Sequence, residues 1–582
     1  MKKILIIFLL FSLTLAFSQN LTESEKMARK LFSESLDSFF SGKKYDARLK
    51  LEEAMTNQIY LKDVPYFWYY AAKLDLLLGK IEKAKEDLNN ILFFSPSNSE
   101  AISLLNFINS LNNIEKSLSP QIKIKELKKI KNIINANEKF FIANDFIVIN
   151  SFVYLLDIQN KLIYYTNLDN SEENWIKLNS VIDKNFIPFN IYYDERTDYF
   201  YISGNTGLYV IKNFSQQKQF FFEKINKFTN LLLFGIDRSG RLWTFYAKNN
   251  SIIILDYAGN SLEEIPLDNK YVITSGNYFE NKISLIDIKN RQILQFSTIT
   301  KKIEKVFPIK SKHLPLSIIS LPYNNLLISF MNDGTYLFQD NKFTKLFDFS
   351  YLLNYNNGIL MKFDYSKYEL VLDQIDFISD ISPYYVFLYG IDFNVPDMTI
   401  NLKINTIAPG NNLINFIDRK IYITDSEGRY AFDYKRKLEK PYFYNFDNME
   451  YLFLEMLPLL KNDSIVILND ENNSNFEKYI NITNIVPFLF TNISLYIISD
   501  TPISEKVRKL VRLTGGAIVP KKYFVTFDNY IKNNKKIIQN ISYKIFPPIA
   551  PGIRPVKIYL QLGSKIINDT MYYYSEGVGI AE

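Results

Sequence analysis

Cysteine is absent from this 582-residue chain, and histidine occurs once, as His313. Because no disulfide can form, each domain has to be stable through its own hydrophobic core. A single histidine excludes zinc sites built on several histidines and leaves little basis for a Ser-His-Asp arrangement. We therefore expect His313, which lies between Lys312 and Leu314-Pro315, to be an ordinary loop residue.

A strong excess of one charge is also lacking. The chain has 68 Lys and Arg against 62 Asp and Glu, a formal net charge of +6. Loss of Lys2 and Lys3 with a leader peptide leaves about +4, which is too small over this surface to predict a nucleic-acid partner. We likewise predict no cofactor.

Residues 1–18 predict a secretory signal peptide. Two lysines precede an apolar run over residues 4–17, and Ala16-Phe17-Ser18 has the small-x-small pattern that signal peptidase accepts. We expect the mature chain to begin at Gln19 and to be periplasmic, with the outer surface or secretion as alternatives. An uncleaved anchor stays open, although the run is shorter than the ~20 residues of a spanning helix. No later segment is apolar enough to predict a transmembrane helix.

Residues 65–96 carry a helical pattern with fixed spacing. Its positions are Trp68, Ala72, Gly79, Ala84, Leu88, Ile91 and Pro96, and a weaker copy has Leu31, Ser35, Gly42, Ala47, Leu51 and Ala54. Large residues fill the gap between paired helices, alanines permit close approach, and proline ends the second helix. The pattern resembles the tetratricopeptide repeat, which implies an all-α domain over residues 19–117. An unrelated helical hairpin remains the alternative.

The resemblance implies a concave groove on the first helix of each repeat. The residues that fall on it are Arg29, Phe32, Tyr66, Tyr69 and Lys73. Aromatic anchors beside cations suit an extended or helical peptide, so these five residues are the predicted partner-binding site. Packing of the same aromatic residues on the following domain is the alternative.

A basic run follows the helical pattern. Residues 118–138 contain Lys123, Lys125, Lys128, Lys129 and Lys131. We interpret this run as a solvated linker helix. A contact with anionic lipid or cell-wall polymer is the alternative.

From residue 139 to residue 378, short apolar runs alternate with Asn, Asp, Gly and Ser, as in strands and turns. The clearest unit has Asp237-Arg238-Ser239-Gly240 in one turn and Asp256-Tyr257-Ala258-Gly259 in the next. These hairpins resemble NHL-type propeller blades, and the turns recur close to the ~40 to 50 residue period of such blades. The resemblance implies an all-β propeller of five or six blades. A large β-sandwich is the alternative.

Carboxylates in this region have the chemistry to bind calcium or to act as acid and base. They include Asp194, Asp198, Asp237 and Asp256. Each lies in or beside a hairpin turn, where aspartate commonly bonds to the backbone, so we assign them to turns. We predict no catalytic residue and no metal site.

Residues 379–440 alternate in hydrophobicity and predict a small β-sandwich-like module. Beyond residue 440 strands and helices alternate. The predicted strands are 442–446, 464–468, 495–499 and 517–519, and the predicted helices are 449–460, 476–491 and 504–513. Strands joined by helices predict right-handed crossovers and a mostly parallel sheet.

Three motifs mark residues 441–582: Tyr496-Ile497-Ile498, the helix end Thr514-Gly515-Gly516, and a final hairpin with a turn at Pro551-Gly552. They resemble a von Willebrand factor A domain. Such domains hold a divalent ion through Asp-x-Ser-x-Ser, because hard oxygen ligands suit magnesium or calcium. This chain has Asp447-Asn448-Met449-Glu450-Tyr451 instead. The resemblance therefore implies a degenerate, metal-free domain, in which Asp447 alone stays open as a ligand.

The predicted architecture is multidomain: all-α hairpins, an all-β propeller, a small β module and an α/β domain. We predict a non-enzymatic protein-interaction scaffold of the bacterial cell envelope, whose partners are other periplasmic or envelope proteins. A cell-wall glycan-binding protein, with peptidoglycan as partner, is the first alternative. A carboxylate-based enzyme acting on glycans is the second, and it requires two carboxylates facing each other across a cleft.

Overall fold

A computed structural model describes most of the chain. It describes residues 22–57, 64–111, 121–131, 133, 143–149, 152–168, 173–217, 219–356, 359–378, 385–394, 399–407, 420–425, 428–433, 437–469, 476–544, 552–562 and 565–575. The predicted signal peptide lies outside these residues. None of the helices they form is both long enough and apolar enough to cross a membrane.

The described residues of the helical region, 22–57 and 64–111, form five helices. They are Glu23–Phe40 (α1), Lys44–Thr56 (α2), Val64–Leu77 (α3), Ile81–Phe94 (α4) and Ser99–Leu111 (α5). α1 packs on α2, α3 packs on α4, and α5 adds to α4. Gly42 and Gly79 both have positive φ, which lets the chain turn sharply inside each hairpin. The N-terminal helices predicted from the two spaced patterns are therefore present.

Residues 121–378 form six four-stranded antiparallel sheets, called the ring below. Its strands are Gln121–Ile130 (β1), Ala143–Ile149 (β2), Phe152–Asp157 (β3), Leu162–Asn167 (β4), Glu173–Lys177 (β5), Pro188–Asp194 (β6), Tyr199–Gly204 (β7), Gly207–Ile211 (β8), Glu223–Lys224 (β9), Leu231–Ile236 (β10), Leu242–Tyr246 (β11), Ser251–Leu255 (β12), Ser261–Pro266 (β13), Ile273–Phe279 (β14), Lys282–Asp287 (β15), Gln292–Ser297 (β16), Lys302–Pro308 (β17), Pro315–Leu321 (β18), Asn325–Phe330 (β19), Gly334–Gln339 (β20), Lys342–Phe347 (β21), Leu352–Asn356 (β22), Ile359–Asp364 (β23) and Glu369–Ile378 (β24). A short helix, Leu178–Val181 (α6), follows β5.

The innermost strands of the six sheets contact one another in a closed circle, in the order β2, β6, β10, β14, β18, β22 and back to β2. Polar side chains join neighbouring sheets at this circle. Asp145 Oδ2 accepts a hydrogen bond from Ile191 N at 3.0 Å, and Asn354 Nδ2 donates to Phe146 O at 3.0 Å. Sheets arranged around a common centre in this way are propeller-like.

The basic run is the outer strand of one of these sheets. β1 pairs antiparallel with β24 over its whole length and so completes the sheet formed by β22, β23 and β24. Ile122 and Ile124 pack on the core of that sheet, whereas Lys129 reaches outward to Glu369 Oε2 at 2.6 Å. The linker helix predicted here is wrong, because the isoleucines alternate at the period of a strand. Exposed lysines suit an edge strand, since their charge opposes pairing with another chain.

The described residues of the C-terminal part form twelve strands. They are Tyr385–Asn394 (β25), Thr399–Ile407 (β26), Lys420–Asp425 (β27), Gly428–Asp433 (β28), Lys437–Glu439 (β29), Tyr442–Phe446 (β30), Ser464–Asn469 (β31), Ser494–Ile498 (β32), Ile518–Val519 (β33), Lys536–Lys544 (β34), Gly552–Leu562 (β35) and Lys565–Ser575 (β36). Its helices are Met449–Tyr451 (α7), which continues as a π-turn and a 3₁₀ turn to Leu459, Phe476–Tyr479 (α8), Ile482–Phe490 (α9), Glu505–Leu513 (α10) and Phe524–Lys532 (α11).

β30 to β33 form the parallel sheet that the alternating pattern predicts. The strands follow one another in chain order, so this sheet lacks the reversal of order at which open α/β sheets usually bind ligands. α7, α9 and α10 pack on one face of the sheet, and α11 packs on the other.

Two further sheets join strands from before and after this α/β segment. β25, β26, β34 and β29 form one sheet, and β28, β27, β35 and β36 form the other. The domain boundary predicted between residues 440 and 441 therefore does not match the structure. It would separate β26 from β34 and β27 from β35, although these strands pair with each other. β35 and β36 pair as a hairpin near the end of the chain. The final hairpin was predicted with its turn at Pro551-Gly552, but Gly552 begins β35, and β34 before it belongs to the other sheet.

Candidate functional site

The predicted groove of the helical region is filled by the protein's own C-terminal strands. Lys73 Nζ lies 2.6 Å from Asp569 Oδ2, and both side chains are fully buried. Tyr69 donates from its hydroxyl to Asp569 Oδ1 at 2.7 Å. The prediction of an open groove is therefore corrected, because β25 and β36 lie against α1 and β36 against α3.

The other three groove residues are also placed inside the molecule. Tyr66 packs on the ring of Tyr572 of β36, with 4.6 Å between ring centroids. Phe32 is fully buried and meets Phe67 edge to face, and Arg29 is buried as well. Tyr66 and Tyr69 thus pack on the C-terminal strands, which neither sequence-based alternative anticipated.

Asp569 accepts hydrogen bonds from several buried donors. Besides Lys73 and Tyr69, it accepts a hydrogen bond from Leu388 N at 2.6 Å, and Lys73 Nζ also donates to Leu388 O at 3.0 Å. Burial lowers the pKa of Lys73, and the charge of Asp569 opposes this shift. Burial also raises the pKa of Tyr69 well above its usual value. The groups of this cluster bond to one another, so the cluster holds the helical region in place and offers no free group to a ligand.

A cavity of about 600 Å³ at the centre of the ring is a candidate site. Its wall is mostly polar and includes Asn144, Asp145, Asn190, Asp194, Arg196, Asp237, Arg238, Arg241, Ser275, Asn277, Ser317, Ser320 and Asn354. Arg508, Arg512, Ala517 and Ile518 of the α/β segment line the same cavity. α10 and the start of β33 therefore close one end of the central channel.

Asp145 is one of the carboxylates that line this cavity. It accepts hydrogen bonds from the backbone N–H groups of Phe146 at 2.9 Å and Ile191 at 3.0 Å. Burial raises the pKa of Asp145 to about 7, although the two N–H groups favour the ionised form. This carboxyl therefore changes protonation near neutral pH.

The turn carboxylates have the roles predicted for them. Asp237 Oδ1 accepts from Ser239 N at 2.9 Å and from Arg241 N at 3.0 Å, and its other oxygen pairs with Arg241 Nε at 2.6 Å. Asp256 accepts from two backbone N–H groups of its own turn in the same way. Asp194 pairs with Arg196 Nε at 2.9 Å.

α11 fixes the α/β segment to the ring. Tyr530 is buried and donates from its hydroxyl to Asp194 Oδ2 at 3.1 Å. Its ring lies so close to Gly240 that a Cβ atom there would overlap it. Sequence reasoning missed this helix, although Phe524, Phe527 and Ile531 carry the spacing of three and four residues that signals a buried helical face.

Two other predicted positions lie outside the cavity wall. His313 is exposed in a loop before β18, as predicted. Asp447 Oδ1 accepts a hydrogen bond from Asn469 Nδ2 at 3.3 Å at the ends of β30 and β31. Within the described parts of the chain, no three His, Cys, Asp or Glu residues are grouped so that they could hold a metal ion.

Large apolar side chains are exposed beside the edge strand β30. Tyr442, Phe443, Tyr451, Leu454 and Leu459, called the β30 patch below, are 40 to 65% exposed. No described strand pairs with the outer edge of β30. Lys461 Nζ lies 4.3 Å from the ring centroid of Tyr442, so the segment that connects β30 to β31 ends beside β30.

An open aromatic groove of about 760 Å³ lies at the outer side of the ring. Trp175, Phe220 and Phe221 line it together with Lys177 and Ser180. The groove thus combines flat apolar rings with polar hydrogen-bonding groups.

No family model and no curated protein matches the chain. Among solved structures, virginiamycin B lyase from Staphylococcus aureus is 11% identical, with a TM-score of 0.33, over 44% of this chain and 99% of the lyase chain. The Cps50 (Swd1) β-propeller domain from Myceliophteria thermophila is 7% identical, with a TM-score of 0.31, over 44% and 100%. A chain of a nidogen/laminin complex is 14% identical, with a TM-score of 0.30, over 39% and 93%. Such low scores carry no argument, so the propeller-like description rests on the six sheets themselves.

Proposed function

We propose that this protein is an exported, non-enzymatic protein-interaction scaffold of the bacterial cell envelope. We infer that the ring is a six-bladed β-propeller closed by β1. The helical hairpins are tetratricopeptide-like, and their groove clamps the protein's own β36. We interpret the α/β segment as a metal-free, von Willebrand A-like domain that carries the binding surface. The leader predicted in residues 1–18 supports export to the periplasm.

The observation that carries this proposal is the β30 patch. It places five large, exposed apolar side chains within residues 442–459, which supports an interaction site. An unpaired strand edge beside such a surface supports the addition of an extended partner segment, which forms main-chain hydrogen bonds with the edge. The partner is therefore proposed to be an envelope protein that adds a strand to β30 and buries Phe443 and Leu454.

The contacts of two cavity carboxylates support a non-enzymatic role. Asp194 and Asp237 are each engaged by an arginine and by turn hydrogen bonds. Their oxygens are therefore already bonded within the chain, which leaves them little capacity to bond a substrate. His313, the one histidine, is exposed away from the cavity.

Affinity capture tests the proposal. The tagged mature chain is incubated with envelope extract from the producing cells and compared with a Phe443→Glu, Leu454→Glu variant. A Phe349→Glu, Leu314→Glu variant is the matched control, because both residues are similarly exposed on the ring. The proposal predicts a discrete partner protein that the control retains and the patch variant loses. Equal capture by both variants contradicts it.

The aromatic groove at the outer side of the ring favours a second candidate, a glycan-binding function. Flat rings such as Trp175 and Phe221 offer apolar stacking surface, and Lys177 and Ser180 offer hydrogen bonds to hydroxyl groups. A sedimentation assay with purified peptidoglycan tests it. Loss of co-sedimentation in Trp175→Ala, with retention in Phe349→Ala, supports this candidate, whereas no co-sedimentation of the wild-type chain eliminates it.

A further inference from the structure

Three arginines line the end of the ring cavity that α10 closes. Arg238 belongs to the turn between β10 and β11, while Arg508 and Arg512 are on α10. The two α10 arginines are four residues apart and therefore lie on the same face of the helix. Val507, Leu510 and Val511 are buried in the α/β segment and fix that helix in place. Elements from two parts of the molecule thus bring cationic groups to one cavity.

Two of the three arginines, Arg238 and Arg508, differ from the other arginines in the cavity wall. Arg196 and Arg241 each have a carboxylate partner, Asp194 and Asp237. Over the described ranges, neither Arg238 nor Arg508 forms an ion pair with a carboxylate. Arg512 Nη2 lies 2.7 Å from Glu505 Oε1, a side chain that is largely exposed.

Arg238 lies against the last turn of α10. Its Nη1 donates to the carbonyl oxygen of Arg512, which also accepts a hydrogen bond from Gly515 N at 3.0 Å at the C-terminus of the helix. Burial and the positive charge of Arg512 lower the pKa of Arg238 to about 10. Burial, with a contribution from Arg512, also lowers the pKa of Arg508. The cationic groups therefore repel one another where little water offsets their charge, and an anion between them relieves that repulsion.

We propose that this end of the cavity binds a small ligand bearing a carboxylate or phosphate group, held by Arg238, Arg508 and Arg512. Guanidinium groups bind both anions through paired, charge-assisted hydrogen bonds. A cavity of about 600 Å³ falls within the range of small-molecule sites, so the ligand has room for an organic body beside the anionic group. This site is independent of the β30 patch.

Isothermal titration calorimetry on the full mature chain tests the site. Inorganic phosphate and citrate are titrated separately at fixed ionic strength, and the arm that gives saturable binding identifies the anionic group. Arg238→Gln and Arg508→Gln are each expected to weaken binding about tenfold or more. Arg291→Gln is the matched control, because Arg291 is exposed in the turn between β15 and β16 and does not line the cavity.

Two results overturn the proposal. One is the absence of saturable binding of either anion to the wild-type chain at millimolar concentration. The other is equal weakening by Arg291→Gln, since this shows general charge attraction. If Arg238→Gln loses the near-ultraviolet circular dichroism of the folded chain, Arg508→Gln decides the matter, because Arg508 Nε bonds only to the nearby Ile503 O, at 3.0 Å. Affinity capture through the β30 patch is unaffected by either outcome.

Discussion

Lys73 and Asp569 form a fully buried ion pair of 2.6 Å, although 496 residues separate them in the chain. The pair joins α3 to β36 and so holds the helical region against the C-terminal strands. A buried cation left without its partner is costly, because the surrounding protein cannot replace the lost solvation. The face that looks like a peptide-binding groove is therefore a permanent contact within the chain.

Asp569→Ala is expected to lower the free energy of unfolding of this interface by about 3–5 kcal/mol. The measurement is urea unfolding followed by far-ultraviolet circular dichroism, with limited proteolysis to detect release of the helices. Glu23→Ala is the control, because Glu23 and Lys26 form an exposed pair, and it should leave the transition unchanged. An Asp569→Ala chain as stable as wild type contradicts the role assigned to the pair.

Gly240→Ala is expected to loosen the α/β segment from the ring. Gly240 has a φ of +77°, and an added Cβ would overlap the Tyr530 ring. Gly42→Ala is the matched control, because Gly42 has a φ of +85° but nothing within 4 Å of the added atom. Both substitutions strain the backbone, because both glycines have a positive φ. The contact with Tyr530 is therefore measured by how much further the melting temperature falls in Gly240→Ala than in Gly42→Ala. Equal losses contradict the docking of α11 on this turn.

The stability of the fold is expected to rise with pH above neutrality. Burial lowers the pKa of Lys44 and of Lys536 to about 7, and the charge of Asp463 opposes both shifts. Lysines in an unfolded chain have a pKa near 10.4. Between about pH 7 and pH 10 the unfolded state therefore binds more protons, so the free energy of unfolding increases with pH in this window. Below about pH 7 both states are protonated, and this contribution to the pH dependence vanishes.

Thermal unfolding at pH 7, 8 and 9 measures this dependence. The double substitution Lys44→Met, Lys536→Met is expected to flatten it, because it removes the groups whose protonation differs between the two states. Lys26→Met is the control, since Lys26 is exposed, and should keep the wild-type slope. The same slope in the double variant and the wild-type chain rules out this assignment.

Ring closure through β1 predicts the behaviour of two fragments. Residues 121–378 contain all four strands of the sheet formed by β22, β23, β24 and β1. Residues 139–378 lack β1 and expose the edge of β24, which invites pairing with another chain. Size-exclusion chromatography with light scattering is expected to show a monomer for the longer fragment and association for the shorter. Two monomers of equal melting temperature argue against closure by β1.

Parts of this fold were predictable because their signals are local. β31 and β32 are continuous apolar runs bounded by turn residues, as strands covered on both faces are. β1 was not predicted, although Ile122 and Ile124 alternate with lysines at the period of a strand, because the density of lysines favoured a solvated linker. The contact of Lys73 with Asp569 was out of reach, since local periodicity carries no information about which distant strand covers a helix.

The cavity site was likewise predictable from the sequence only in part. The aspartates of the hairpin turns were predictable, because Asp-x-x-Gly is a turn sequence whose carboxylate bonds to nearby N–H groups. The arginines at the capped end were not, since Arg238 and Arg512 lie on elements that meet only when the α/β segment docks on the ring.

Site-specific photo-crosslinking in the producing cells tests the central claim most directly. A benzophenone amino acid replaces Leu454 in the β30 patch or, as a control, Leu314 on the ring, and both positions are exposed. The account predicts a discrete protein adduct from position 454 that is absent from position 314 and is lost when Phe443→Glu is added. No adduct from position 454, or the same adducts from both positions, would contradict it.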